Sequence, residues 1–539
     1  MKRVRIVFLS IVILGIALRL LALQLAPSND EINIHRMIAS GKLFYPEHHA
    51  HPPLANFFFY AVGHLFGTSF VVLRLVPLLF ELLSLVILYF LAYMLYGAQA
   101  ARTSVKLGAL SFILLANATR VHIEPVAAFF FLTCIYFYIR GQKGNNQRDM
   151  IYAGMTGGLL LLTKTVGVLV FPVLLFWSLL HSGMKDSVHS LGKVVFISLV
   201  IFLFFPLWAF LSGSPLFIES ISFLFSFTGA DDNLPFGSLF PFLFLFVTPF
   251  YLYFPFLALK NRTKTDNFLL SWVLITMAFY LFVIRKGDYS RYFLTGVYPL
   301  ILLASGALAR IPKEKWKLSL FWIATLTSIL FFIFFQYSFL DTPRIIHSPS
   351  IYISSFLSGT TFFFPYSVDH GYGFGVVSPI FYALLLAHAF FLWGIIWKRT
   401  WIIPIFFGFL FGFNAFLIEE EVFSFAQPNV GRAMMSMVAY ALEKELPRPY
   451  YTTDKTIMYL LNPDKYYGGY TTERSLFFYR VESKNDLDTL QKTGGTFFFL
   501  PFAAYVTEQD IQLPKCSILQ EWRDLGIIVG EIITCIRKE

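Results

Sequence analysis

Ser28-Asn29-Asp30-Glu31 follows an apolar run from Ile6 to Ala26, and His51-Pro52-Pro53-Leu54 comes about twenty residues later. A carboxylate pair beside such a run stays hydrated, so it costs little, and it can accept a proton from a nucleophile at a membrane surface. The competing reading is a solvated loop, where acidic residues are common. Three further sites carry charge next to apolar runs. Glu124 stands in Arg120-Val121-His122-Ile123-Glu124-Pro125, where Arg120 and His122 could each pair with it. Pro125 suits a first helical turn and a carboxylate suits a helix N-terminus, so Glu124 reads equally as a cap. Lys164 lies in Leu161-Leu162-Thr163-Lys164-Thr165, and either snorkels to an interface or binds an anion. Arg285, Lys286, Asp288 and Arg291 precede Tyr292, and Arg74 opens a later run; these cations would suit a phosphate, or lipid headgroups in general.

The elements that must position these groups are membrane spans. The chain has 539 residues, 57% hydrophobic and 14% charged, with mean hydropathy +0.65, where a soluble domain carries roughly a quarter charged residues. Apolar runs near twenty residues recur, each able to cross about 30 Å of hydrocarbon. The net charge of +10 sits in short loops between runs, a topological pattern that gives no reason to invoke nucleic acid. The 65 Phe are span-filling volume. The basic start, Met1-Lys2-Arg3-Val4-Arg5, resembles a signal peptide, but no small-x-small site follows, so an uncleaved first span is expected.

The hydropathy predicts about thirteen spans near 6–26, 72–96, 106–118, 123–140, 151–163, 165–181, 194–212, 238–259, 267–284, 292–309, 317–339, 377–397 and 401–418, with 151–181 readable as one helix broken at Thr163-Lys164. Lys and Arg then alternate between loops in a way that puts the N-terminus in the cytoplasm. The outer segments are 27–71, Arg120 to Pro125, 213–237 with Asp231-Asp232, and 340–376. Within the first, 54–66 is apolar but short, and is expected to lie along the interface. Near Glu419-Glu420-Glu421 the polarity becomes ordinary. Helices are expected over 429–446 and 483–493, with strands at Ser475–Val481, Thr496–Leu500 and Ile527–Ile536. The layout is thus an all-α polytopic domain, 1–418, followed by a small exported α/β domain, 419–539.

Other features weigh less. His35, His48, His49 and His51 match no standard zinc spacing, so no metal ligand is assigned; a divalent metal is not favoured and the cofactor is left unknown. Glu81 falls inside the second span, a functional hypothesis by default; Arg74 two turns away could neutralise it, or it could instead contact a polar neighbour. Asn117-Ala118-Thr119 and Asn261-Arg262-Thr263 match the glycosylation sequon by chance, and Gly371 to Gly375 reads as a flexible loop. Cys516 and Cys535 could pair in an exported tail, but the sequence does not require it.

Taken in order, these positions resemble the GT-C integral-membrane glycosyltransferases of the dolichyl-phosphate-mannose–protein mannosyltransferase and aminoarabinose transferase group. The resemblance rests on Asp30-Glu31 after the first span, His51-Pro52-Pro53-Leu54, Leu73-Arg74-Leu75-Val76-Pro77, Glu124-Pro125, Thr163-Lys164, Arg291-Tyr292 and Tyr298-Pro299. It covers about 1–310; Glu81 departs from it, where an apolar residue is expected. It implies a polyprenyl-phosphate sugar donor, an inverting transfer, and Asp30 as base with Glu31 beside it. The expected phosphate-binding residues are Lys164, Arg291, Lys286 and Arg74, and the expected substrate-site candidates are Glu124, His51 and Tyr292. The expected partners are the donor, the bilayer and an extracytoplasmic acceptor (protein, glycolipid or surface glycan), with no nucleic acid. The expected location is the plasma (inner) membrane, with the C-terminal domain outside. The alternative is a transporter or lipid-carrier flippase, which would place ionisable residues near mid-membrane within repeated halves. Glu81 is the residue that favours it.

Overall fold

The computed structural model describes residues 2–27, 29–39, 52–211, 249–252, 262–284, 290–310, 317–338, 363–365, 375–397, 399, 401–424, 430–452, 457, 460–461, 478–480, 490, 492–500, 516–524 and 527–535. The helices are α1 (Lys2–Ala22), α2 (Asn29–Ala39), α3 (Leu54–Phe66), α4 (Phe70–Tyr96), α5 (Ala98–Ala109), α6 (Phe112–Ala118), α7 (Glu124–Gly144) and α8 (Gln147–Thr163). They continue as α9 (Val170–His181), α10 (Met184–Phe202), α11 (Phe204–Leu211), α12 (Lys264–Phe279), α13 (Leu294–Arg310), α14 (Leu318–Ser338), α15 (Ser378–Ile396), α16 (Ile402–Val422) and α17 (Val430–Lys444). Among the described residues six helices are long and apolar enough to cross a bilayer, and four shorter apolar helices accompany them. The span expected at 238–259 lies outside the described residues except for the turn Pro249–Leu252.

Local chemistry sets several boundaries. Ser69 caps α4, its hydroxyl accepting from Val72 N at 3.4 Å, and Gly97, at φ 85°, ends the helix. Asn146 caps α8. Thr263 and Asp266 form a reciprocal capping box at the start of α12. The run expected as one span at 106–118 is instead two helices, because α5 stops at Ala109 and α6 begins at Phe112. Asn414 of α16 holds this break: its Nδ2 donates to Leu110 O at 2.7 Å, and its Oδ1 accepts from Phe112 N at 3.2 Å. One side-chain amide thereby satisfies backbone groups that would otherwise be stranded in hydrocarbon. The break allowed for at Thr163-Lys164 is present: Lys164 is extended, and a 3-10 turn, Thr165–Leu169, leads into α9.

The core centres on α4, which packs against α5, α7 and α13. Close approach needs small residues in two places. On α8, a Cβ at Gly154 or Gly158 would lie 2.6 Å from Ile197 or Ile201 of α10, and on α16, a Cβ at Gly408 would run into the Phe321 carbonyl of α14. A polar cluster joins three helix ends: Arg310, ending α13, donates two hydrogen bonds to Asp266 at 2.8 and 3.0 Å, and Tyr96, ending α4, donates to the same carboxylate at 2.6 Å.

Two short strands, β1 (Phe363–Pro365) and β2 (Gly375–Val377), pair antiparallel. After α16 comes a five-stranded sheet of β3 (Tyr450–Thr452), β4 (Phe478–Arg480), β5 (Gly495–Phe499), β6 (Cys516–Asp524) and β7 (Ile527–Cys535), in the order β4-β3-β5-β7-β6. β3 is parallel to both neighbours and the β5-β7-β6 edge is antiparallel. α17 packs its Met434, Met437 and Val438 with Phe498 and Ile532 of the sheet. The expected helix over 429–446 and the three expected strands have counterparts here, whereas β3 and β6 were not expected. The expected helix over 483–493 lies mostly outside the described residues. Cys516 and Cys535 form a disulfide between the paired strands β6 and β7. α16 runs continuously through Glu419 to Val422, across the change of polarity.

Candidate active site

Three helix ends bring one carboxylate and two cations together. Glu124 is the first residue of α7 and enters from the link that follows α6. Lys164 sits at the break after α8, at φ −156° and ψ 127°, its N–H on Leu160 O and its carbonyl accepting from Gly167 N. Arg291 lies in the turn Ser290–Phe293 that leads into α13. Lys164 Nζ donates to Glu124 Oε1 at 2.6 Å, and Arg291 Nε lies 3.5 Å from the same oxygen. All three side chains are buried, 7–9% exposed. Tyr292 presents its ring to both cations, 4.3 Å from Lys164 Nζ and 5.5 Å from the Arg291 guanidinium carbon. The three charged groups and Tyr292 line an open cleft whose other walls include Phe131, Leu160 and Leu294. Cations beside an apolar wall suit an anion joined to a hydrophobic chain.

A second ion-pair set lies in the same part of the bundle. Glu31, fully buried in the first turn of α2, accepts from Arg74 Nε at 2.7 Å and Nη2 at 2.8 Å. It also accepts from Val121 N at 2.8 Å and lies 3.6 Å from Arg120. Arg74 in addition donates to Leu23 O at 2.8 Å, Leu25 O at 2.6 Å and Ala26 O at 3.3 Å, satisfying carbonyls left over where α1 ends. Arg120 reaches Glu421 at 3.2 Å, near the end of α16. The short link between α6 and α7 is therefore held at both ends. Arg120 and Val121 are bound to the α2 carboxylate, and Glu124 is bound to Lys164 and Arg291.

The structure sorts the expected site residues into two groups. Lys164, Arg291, Glu124 and Tyr292 converge, whereas Arg74, expected with the cations, is bound to Glu31 and does not line the cleft. Asp30 is in the first turn of α2, one residue before Glu31. Lys286 and His51 lie outside the described residues. His35 stacks on Phe70 with ring centroids 4.4 Å apart, and burial pushes its pKa below the usual histidine value.

Glu81 corrects one expectation. Its partner is Arg19 of α1, not Arg74. Arg19 Nε and Nη2 donate to the two Glu81 oxygens at 3.1 and 2.9 Å, and the same guanidinium donates to the carbonyls of Gly15, Ala109 and Gly108. Sequence reasoning missed Arg19 because it lies inside the first apolar run, where hydropathy averages it away; a lone Arg in that run was the available signal. Asn414 and Asp266 were missed for a related reason, since nothing local shows which distant backbone or side chain each will meet.

The two polar clusters mark opposite ends of the bundle. Arg74 near the start of α4 and Arg291 just before α13 lie at the candidate-site end, while Tyr96 and Arg310 close the same two helices at the Asp266 end. This membrane-domain architecture is shared with known structures. The crystal structure of ArnT from Cupriavidus metallidurans in the apo state superposes with a TM-score of 0.62 at 19% identity, covering 99% of this chain and 98% of that one. The structure of the same protein bound to undecaprenyl phosphate gives 0.61 at 18% identity, over 98% of this chain and 97% of that one. The fold is ArnT-like, and the chain is a multi-pass membrane protein. Residues 50–210, which include Arg74, Glu124 and Lys164, match the family model described as dolichyl-phosphate-mannose-protein mannosyltransferase, so the resemblance read from the sequence holds. No curated protein sequence matches the chain significantly.

Proposed function

We propose that this protein is a membrane glycosyltransferase that moves a sugar from a polyprenyl phosphate to an extracytoplasmic acceptor with inversion. The observation that carries the reading is the cleft itself, where Lys164 and Arg291 stand beside an apolar wall. That arrangement suits the phosphate of a lipid carrier, and the similarly folded ArnT has been crystallised with undecaprenyl phosphate. In this reading Asp30 accepts the proton of the acceptor hydroxyl as its oxygen bonds to the anomeric carbon. The anomeric carbon–oxygen bond to phosphate breaks, and its electron pair leaves on the phosphate, where Lys164 and Arg291 stabilise the growing charge. Glu31, bound by Arg74 and Val121 N, anchors the helical turn that carries Asp30.

The proposed setting is the inner membrane, with the N-terminus cytoplasmic and the cleft outside. The proposed domains are 1–418 for transfer and 419–539 as an exported domain, and the Cys516–Cys535 disulfide supports exposure of the latter to an oxidising compartment. The acceptor classes are protein, glycolipid and surface glycan. The transporter alternative drew on Glu81, and the Arg19 pair gives that acid a structural partner.

The test is purified protein in lipid nanodiscs, given radiolabelled polyprenyl-phosphate sugars and acceptors of the three classes. Label should pass to one acceptor class and free polyprenyl phosphate should accumulate. Protein-dependent movement of the lipid across a bilayer, with no label transferred to any acceptor, would sink the reading.

A further inference from the structure

We propose that Glu124 sets the charge of the cleft, matching it to a singly charged phosphodiester donor and hastening release of the more highly charged product. The inference rests on the glycosyl-transfer reading above. Among the described residues lining the cleft, Lys164, Arg291 and Glu124 carry formal charge, two cations and one carboxylate, for one net positive charge. Their side chains are almost removed from water, so each charge is weakly screened and the count matters. A carboxylate that only capped α7 would need to face its own helix. Glu124 instead reaches cations from two other elements, Lys164 after α8 and Arg291 before α13, and so occupies part of what an anionic ligand would use.

The charge balance over one turnover gives this placement a consequence. A polyprenyl-phosphoryl sugar is a phosphodiester with one negative charge, which balances the net charge of these three described lining residues. On transfer, the electron pair of the broken carbon–oxygen bond stays on the phosphate. The resulting monoester has a second pKa of about 6 and carries close to two charges at neutral pH. The cleft with product then holds net negative charge, and Glu124 repels what must leave. With Gln at 124 the empty cleft would carry two positive charges and the dianionic product would be matched and retained. Glu124 therefore opposes the growing charge during bond breaking and gains faster release, a split between chemistry and turnover.

The experiment compares wild type, Glu124→Gln, Lys164→Met and the double variant Glu124→Gln/Lys164→Met, all full-length in nanodiscs, using a short-chain polyprenyl phosphate as the binding probe. Glu124→Gln should bind the probe roughly ten- to a hundredfold tighter than wild type, the scale of one charge contact at the edge of a protein interior. Its first turnover should be no slower than wild type, followed by a slower steady state, seen as a burst. The double variant regains one net positive charge and should bind the probe more tightly than Lys164→Met. Folded Glu124→Gln with equal or weaker probe affinity overturns the proposal. Should Glu124→Gln alone fail to fold, the double variant decides, and affinity no higher than that of Lys164→Met overturns it. Wild type that neither binds the probe nor transfers sugar defeats the underlying functional reading instead.

Discussion

Arg19 of α1 and Glu81 of α4 form a bidentate ion pair that is buried inside the membrane domain, 62 residues apart in sequence. The same guanidinium binds the Gly108 and Ala109 carbonyls, so it ties α1 and α4 to the C-terminal end of α5. Removing one partner strands the other charge in a low-dielectric interior, which costs about 3–5 kcal/mol, whereas removing both can be close to neutral. Glu81→Leu and Arg19→Met should each lower the unfolding midpoint in detergent strongly. For Glu81→Leu/Arg19→Met the loss should be smaller than the sum of the single losses, reduced by whatever the carbonyls of α5 still miss. Additive losses in this cycle would show that the pair is not coupled.

Asp30 precedes the anchored Glu31 in the first turn of α2. Asp30→Asn keeps the side-chain shape and removes the carboxylate proposed as proton acceptor. Turnover should fall by roughly 10² or more, with binding of the lipid phosphate little changed. Near-normal transfer by this variant would remove Asp30 as the base.

Lys164 and Arg291 share one carboxylate oxygen and one aromatic ring. Lys164→Met keeps the stem and removes the charge, and should cost about 10²-fold in turnover. Arg291→Lys keeps the charge and loses the planar fork, and should cost less. Both should weaken lipid-phosphate binding. A Lys164→Met/Arg291→Lys protein with normal transfer would move the search to Arg120 and Lys286.

The disulfide between β6 and β7 gives a chemical handle on sidedness. In intact cells, Cys516 and Cys535 should resist maleimide until a membrane-impermeant reductant is added, then react with an impermeant label. Lys264→Cys, at the start of α12, should stay unlabelled from outside, and Ser483→Cys should react. Labelling at 264 with none at 483 would invert the topology.

His35 stacks on Phe70, and burial lowers its pKa. The folded state therefore binds fewer protons than the unfolded one as pH falls below the ordinary histidine value of about 6.5. Stability should be fully present above that pH and should decline as the pH drops through it towards the lowered folded value. In His35→Phe this part of the acid sensitivity should vanish, read as the shift of the unfolding midpoint between pH 7.5 and pH 5.5. An unchanged shift in the variant would exclude His35 as its source.

What the sequence determined by itself is whatever depends on neighbours in the chain. Apolar runs of membrane length, Pro125 in the first turn of α7 and the Val430–Lys444 helix all follow from composition within one or two turns. The convergence of Lys164, Arg291 and Glu124 was legible only as three charges at helix ends on one side, since loop charge reports sidedness but not distance. Tertiary structure alone decided the pairings. Glu81 lies two turns from Arg74 in sequence, yet meets Arg19, while Arg74 meets Glu31. The span expected over 106–118 breaks at Leu110-Ser111, where Asn414, about three hundred residues away, supplies both a donor and an acceptor. The physical reason is common to these cases. In a low-dielectric interior a charge or an open backbone group must be matched wherever a partner can be brought within about 3 Å, and helix packing, not position along the chain, decides which partner that is.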